Sequence, residues 1–203
     1  MRWVAGILIV LVVALPGKAE AQSPRGEQKV PNYYPLKPGT KWTYHVDAGN
    51  GKKVEVSNQI TKDETIDGNS MALLETIVNG SVVSTEHLNS TAEGVFRCRY
   101  NGIEVEPPLC IFKYPMKEEA TWEAEAKIGP QQLKVKSTSG KLEEVTTPAG
   151  KYKAAPVVTE TVINGTKIKT KLWFAAEVGI VKQDAAIGEN NVNLELIKFD
   201  AAK

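Results

Sequence analysis

From position 34 onward the chain is written twice. Tyr34-Pro35-Leu36-Lys37, followed by Trp42, recurs 80 positions on as Tyr114-Pro115-Met116-Lys117, followed by Trp122. Farther along, Glu75-Thr76-Ile77-Val78-Asn79-Gly80-Ser81 and Gly94-Val95-Phe96-Arg97 recur 85 positions on as Glu160-Thr161-Val162-Ile163-Asn164-Gly165-Thr166 and Gly179-Ile180-Val181-Lys182. An insertion of five residues in the second copy accounts for the change of offset. A repeat of this length builds one supersecondary unit twice. It constrains architecture and says nothing of an activity.

The repeated unit reads as β-structure. Trp42, Tyr44 and Val46 alternate with Lys41, Thr43, His45 and Asp47, the period-two signature of a strand with one buried face. Asp47 to Gly51 reads as a turn, and Val54, Val56 and Ile60 alternate on the returning strand. Asn79-Gly80 and Asn164-Gly165 are two-residue hairpin signals, because both residue types tolerate positive φ. Pro107-Pro108 is expected to interrupt pairing, since proline offers no N–H. Leu109 to Tyr114 then reads as a connector into the second copy. Met116 to Ala126 has a helix-like composition, but its match to Leu36 to Val46 makes it a loop running into a strand. The expectation is mainly β structure: an antiparallel sheet of ten or more strands in two tandem units, arranged as a curved half-barrel, a barrel or a sandwich.

Residues 1–21 read as a signal peptide: Arg2, an apolar run from Val4 to Leu15, a Pro16-Gly17 break and Ala19-Glu20-Ala21 at the cleavage position. The run is shorter than the roughly 20 residues a membrane span needs. Gln22, not Cys, would become the first residue, which disfavours a lipid-modified start. No transmembrane segment is expected after cleavage, and the destination is periplasmic or secreted. Residues 22–32 read as a flexible lead. Residues 33–203 read as a single β domain made of two repeats, about 33–108 and 109–190, plus a C-terminal strand.

The chain carries 25 basic and 24 acidic residues, and loss of the signal segment brings the balance to neutrality. No global electropositive footprint exists, so nucleic acid is not an expected partner. Cys98 and Cys110 are the only cysteines, and in an oxidising compartment they are expected to bridge. Two buried free thiols are the alternative.

Candidate sites are few. His45 and His87 stand opposite in parity to apolar neighbours and read as isolated surface histidines with no zinc-type spacing. No G-x-S-x-G elbow occurs, and Pro35 breaks the helix that the Tyr33/Lys37 spacing would need. No metal, cofactor or catalytic residue is expected, and the chain does not read as an enzyme. Lys167, Lys169 and Lys171 alternate along one strand, with Lys134 and Lys136 on another. They form either an anion-binding strip or protection of a sheet edge. Trp42, Tyr44, Trp122, Trp173 and Phe174 are expected to fill the core or, on a concave face, to touch a hydrophobic ligand.

Tyr34-Pro35-Leu36-Lys37-Pro38-Gly39-Thr40-Lys41-Trp42-Thr43-Tyr44, Pro148-Ala149-Gly150-Lys151-Tyr152 and Trp173-Phe174-Ala175 with Val178-Gly179-Ile180-Val181-Lys182 resemble a broad group of exported bacterial β-proteins of unassigned function. That group is distantly similar to the lipoprotein-carrier half-barrel. The resemblance implies a curved antiparallel sheet whose concave apolar face shelters acyl chains in the true carriers. It carries over no functional residue, and the covering helix of the carriers has no counterpart here. The reading is an exported non-catalytic binding module for a hydrophobic small molecule, lipid or acylated partner. The alternative is a structural or protein-interaction module of the cell envelope, with an envelope protein as partner. A hydrolase without a recognisable motif comes third.

Overall fold

The structure, a computed structural model, describes residues 30–47, 52–188 and 190–203. The signal peptide, the lead up to residue 29 and the turn at 48–51 lie outside the described residues. The described residues contain no helix. They form β1 (Lys41–Asp47), β2 (Lys53–Ile66), β3 (Asn69–Val78), β4 (Ser81–Thr91), β5 (Gly94–Tyr100) and β6 (Ile103–Lys113). These are followed by β7 (Thr121–Ile128), β8 (Gln131–Ser139), β9 (Glu143–Thr147), β10 (Gly150–Ile163), β11 (Thr166–Ala175), β12 (Gly179–Ile187) and β13 (Asn190–Asp200).

Neighbours in sequence pair antiparallel around the sheet. β13 returns beside β1, and β10 pairs with β8 on one side and β11 on the other. Twelve strands thereby close a barrel, and closure removes the free edges that an open sheet would expose. β9 is the extra strand: it pairs only with the start of β10, Gly150–Ala154, ahead of the stretch that pairs with β8. Of the three arrangements open to the sequence, the barrel is the one adopted.

Connections alternate between two ends. The β3–β4 and β10–β11 turns use Asn79-Gly80 and Asn164-Gly165 with φ of 51°, 78°, 48° and 83°, the left-handed values those residue types accommodate. They lie at the same end as the β5–β6 and β7–β8 turns. The residues before β1 and the β11–β12 connection lie at the other end.

Several expectations need correcting. Leu109 to Tyr114 is not a connector: β6 runs through Lys113, with Leu109, Cys110 and Phe112 opposite Arg97, Phe96 and Val95 of β5. The proline pair lies within β6 and interrupts pairing on both edges, the β5 register jumping from Arg97↔Leu109 to Arg99↔Glu104 across it. Pairing of β6 with β7 is confined to Val105↔Ile128 and Glu106↔Lys127, stopping where the N–H donors are lost. The lysines of β11 protect no edge, because β11 is flanked by β10 and β12. Cys98 and Cys110 are free thiols rather than a disulfide. The β5–β6 register puts Phe96, not Cys98, opposite Cys110, so the thiols are out of register for a bridge. His87 is buried rather than a surface residue, with Nε2 2.6 Å from a Glu64 carboxylate oxygen.

Candidate functional site

Register and burial together define the inner wall. Trp42, Tyr44 and Val46 of β1 stand opposite Asn58, Val56 and Val54 of β2, and Val56, Asn58 and Ile60 stand opposite Val78, Thr76 and Leu74 of β3. Along each of these strands burial falls from one end to the other. Trp42 and Tyr44 are buried and Val46 half-buried; Ile60 is buried, Asn58 and Val56 half-buried, and Val54 is 44% exposed. The same gradient runs from Leu74 to Val78, from Val157 to Ile163 and from Leu196 to Val192. The barrel is therefore sealed at one end and accessible at the end of the hairpin tips. One departure is a small buried cluster of Val105, Leu109, Ala126 and Leu133 beside the β6–β7 seam.

The seal is aromatic. Tyr33 and Tyr34, from the segment preceding β1, pack against Phe112 and Trp42 at ring-centroid distances of 4.9 and 5.4 Å. Phe112 in turn packs on Phe174 at 4.7 Å. Each fully buried ring contributes roughly 1.5–3 kcal/mol of hydrophobic stabilisation. The polar handles are tied to backbone: Trp42 Nε1 donates to the Val178 carbonyl (2.5 Å) and Tyr44 Oη to that of Ile180 (3.0 Å). The turn between β9 and β10 crosses to the far wall, where Ala149 N–H donates to the Leu196 carbonyl (3.1 Å). Asn32 N–H donates to a Glu177 carboxylate (3.1 Å), so the expected lead is anchored from Asn32 onward.

The two repeated tryptophans have separate duties. Trp42 belongs to the floor, whereas Trp122 is half-buried and spans the poorly paired seam, donating from Nε1 to the Cys110 carbonyl (3.0 Å). Phe174 lies in the floor and Trp173 beside it. Trp173 donates to Glu143, whose carboxylate also takes Lys171 at 2.9 Å. These two bonds hold the Glu143 carboxyl below its ordinary value, the Trp173 bond acting most strongly. All five sequence-selected aromatics thus meet in one core cluster: Trp42, Tyr44 and Phe174 are fully buried, Trp173 is buried with its indole bound to Glu143, and Trp122 packs half-buried against them.

Two lysines of the β11 strip are matched by carboxylates, while Lys167 is exposed opposite Val162. Lys169 lies 3.3 Å from Glu160 and Lys171 2.9 Å from Glu143, while Lys134 and Lys136 each lie 2.8 Å from Glu125 and Glu123. This outer face is a ladder of alternating charge. Another outer concavity, about 290 Å³, lies around His45, Lys53, Lys182, Asp184 and Glu195. Among the described residues no group of three His, Cys, Asp or Glu side chains is placed to hold a metal ion. Burial raises the thiol pKa of both cysteines, that of Cys110 to about 11. Neither is an activated nucleophile.

Above the floor the inner wall mixes apolar and polar groups. Val46, Val56, Val78, Val135, Ile163 and Ile168 alternate with Thr76, Ser84, Thr159, Thr161, Thr170 and Gln183, all half-buried. A feature missed from the sequence is an ion pair on this wall, with Arg97 Nε 2.7 Å from a Glu86 carboxylate oxygen. Glu86 stands opposite Leu74, and Arg97 opposite Leu88, both at core positions. The parity of β4 carried the signal, because Ser84, Glu86 and Leu88 share a face. Tyr34 senses the pair from below: burial, then the Glu86 charge, raises its hydroxyl pKa, and Arg97 opposes them.

Solved structures share this architecture. A family described as DUF3108-like matches residues 113–193, from the end of β6 into β13. No curated protein matches the chain by sequence. A candidate lipoprotein from Parabacteroides distasonis superposes with a TM-score of 0.55 at 15% identity, covering 85% of this chain and 100% of the other. A candidate exported protein with a YmcC-like fold from Bacteroides fragilis gives a TM-score of 0.55 at 14% identity, covering 84% and 100%. This chain is similar to both in fold, and similar over its second copy to the DUF3108-like family.

Proposed function

We propose that the protein is an exported, non-catalytic binding module of the bacterial envelope that admits a hydrophobic small molecule or acyl chain through the hairpin-tip end of its barrel. The observation that carries the reading is the gradient of burial along the inner wall. Apolar side chains such as Val46, Val56, Val78 and Ile163 are half-buried above a floor in which Trp42, Tyr44 and Phe174 are fully packed. Leaving apolar area partly wet in an interior costs about 25 cal/mol per Å², a cost that a ligand covering it would recover. The names of the two similar structures, one an exported protein and one a lipoprotein, support an exported or envelope location.

The test is displacement of a fluorescent lipophilic probe, N-phenyl-1-naphthylamine, from delipidated protein by long-chain alcohols and acylglycerols. Saturable one-to-one uptake of the probe and its displacement are expected. A probe-silent protein that also carries no adduct in native mass spectrometry contradicts the reading. A second reading, a protein-interaction module, is favoured by one observation: Val82, Val83 and Ile103 at the hairpin-tip end are 51%, 57% and 47% exposed.

A further inference from the structure

Among the described residues Glu86 and Arg97 form an ion pair on the inner wall, and their placement bears on what kind of ligand head the barrel accepts. Each stands in register with a fully buried leucine, and their side chains remain 16% and 32% exposed. Both therefore retain some solvent access, while Tyr34 of the floor lies close enough to feel both charges. Arg97 meets one Glu86 carboxylate oxygen through Nε, at 2.7 Å. A guanidinium presents five N–H donors in a fork, so donors remain beyond the bond to Glu86. Two strands away, Asn58 Oδ1 is buried with no hydrogen-bond partner. Thr76 and Ser84 share the rung of Asn58, and Glu86 lies on the adjacent rung, two residues from Ser84 along β4.

An ion pair inside a barrel is expensive in desolvation, and hydrophobic residues of similar volume commonly serve stability as well or better. What it supplies is a fixed set of donors and acceptors with no net charge. A carboxylate entering beside it would meet Glu86 as well as Arg97 and leave one charge uncompensated in a poorly solvated space. An ammonium would do the same with the opposite sign. A neutral head that both donates and accepts, such as a glycerol diol or a primary amide, can bond to the Arg97 fork and the Glu86 carboxylate without that cost.

We infer that the barrel selects uncharged amphiphiles whose head carries hydrogen-bond donors and acceptors, with acylglycerols or fatty amides as the chemical class, and that the Glu86–Arg97 pair is the anchor for the head. This rests on the proposed uptake of a hydrophobic chain and adds the charge of its head.

The experiment compares 1-monooleoylglycerol, oleate at pH 8 and oleyl-trimethylammonium as displacers of N-phenyl-1-naphthylamine, each below its critical micelle concentration. For the wild type, monooleoylglycerol is expected to displace at concentrations about ten-fold or more below either charged compound, given what an uncompensated buried charge costs. Glu86→Gln leaves Arg97 unneutralised, and oleate should gain about ten-fold relative to monooleoylglycerol. Arg97→Gln leaves Glu86 unneutralised, and the gain should move to the trimethylammonium compound. Circular dichroism checks the fold of each variant, and either folded variant suffices. Equal displacement by all three compounds in the wild type, or an unchanged order of preference in a folded variant, overturns the inference while leaving uptake intact. Failure of every compound and of the probe itself overturns the proposed uptake instead.

Discussion

Gly179 offers the sharpest test of the sealed floor. It begins β12 with φ +100°, and a β-carbon there would come within 3.1 Å of both Trp42 Nε1 and Tyr34 Cδ2. Neither ring has room to retreat, since Trp42 is fully buried and held through Nε1 to the neighbouring Val178 carbonyl. Gly179→Ala therefore combines two costs: about 1–2 kcal/mol for an L-residue in left-handed backbone and about 1–3 kcal/mol for overpacking. Gly165 is the control. Its φ of +83° carries the same backbone cost, but nothing lies within 4 Å of an added β-carbon. Urea unfolding followed by tryptophan fluorescence should place Gly179→Ala about 1–3 kcal/mol below Gly165→Ala with an unchanged m-value. In melting temperature the gap is roughly 2–4 °C per kcal/mol for a chain of this size. Equal losses in the two variants would refute a floor packed tightly beneath the barrel.

Two further outcomes are expected. Unreduced protein should titrate two thiols after denaturation, and in the native state both should react slowly with a disulfide reagent at pH 8, because burial raises both thiol pKa values, Cys110 to about 11; fewer than two thiols after denaturation would restore the bridge. The lowered Glu143 pKa means that its bonds to Trp173 and Lys171 stabilise the fold above the ordinary carboxylate value of 4.5 and are lost as pH falls through the lower, folded value. Trp173 emission should accordingly shift with a midpoint below 4.5, and Glu143→Gln should abolish that step.

What could be read without coordinates follows from how local each signal is. Asn79-Gly80 and Asn164-Gly165 specify their own backbone angles, so both hairpins could be located from four residues. The alternation of Trp42, Tyr44 and Val46 likewise assigns the inner face of β1, and matching blocks in the second copy point to a second set of strands. Closure was not legible, since whether the sheet closes depends on long-range pairings such as β13 with β1 and β10 with β11. The cysteine pairing was misread for a related reason. Counted from the Asn101-Gly102 turn, Cys98 falls level with Val105 and not with Cys110, and the two bulges of the β5–β6 pair bring only Phe96 opposite Cys110. Pro107-Pro108 interrupts pairing as expected, but Leu109 to Tyr114 does not become a connector after it, because proline blocks donation and not extended backbone, and β6 runs on through Lys113. The Glu86–Arg97 pair was hidden because attention to charge followed runs and strips. A single charged residue in phase with Leu88 signals an interior group only after the strand's faces are assigned.

The account turns on an accessible interior above an aromatic floor. The most direct measurement is the anomalous scattering of a crystal grown with 1-acylglycerol brominated along its chain. Bromine density inside the barrel, between the hairpin-tip end and the ring of Trp42, Tyr44 and Phe174, is the expected result. Bromine confined to the outer wall, or absent from a protein whose interior side chains have closed over that space, would contradict it.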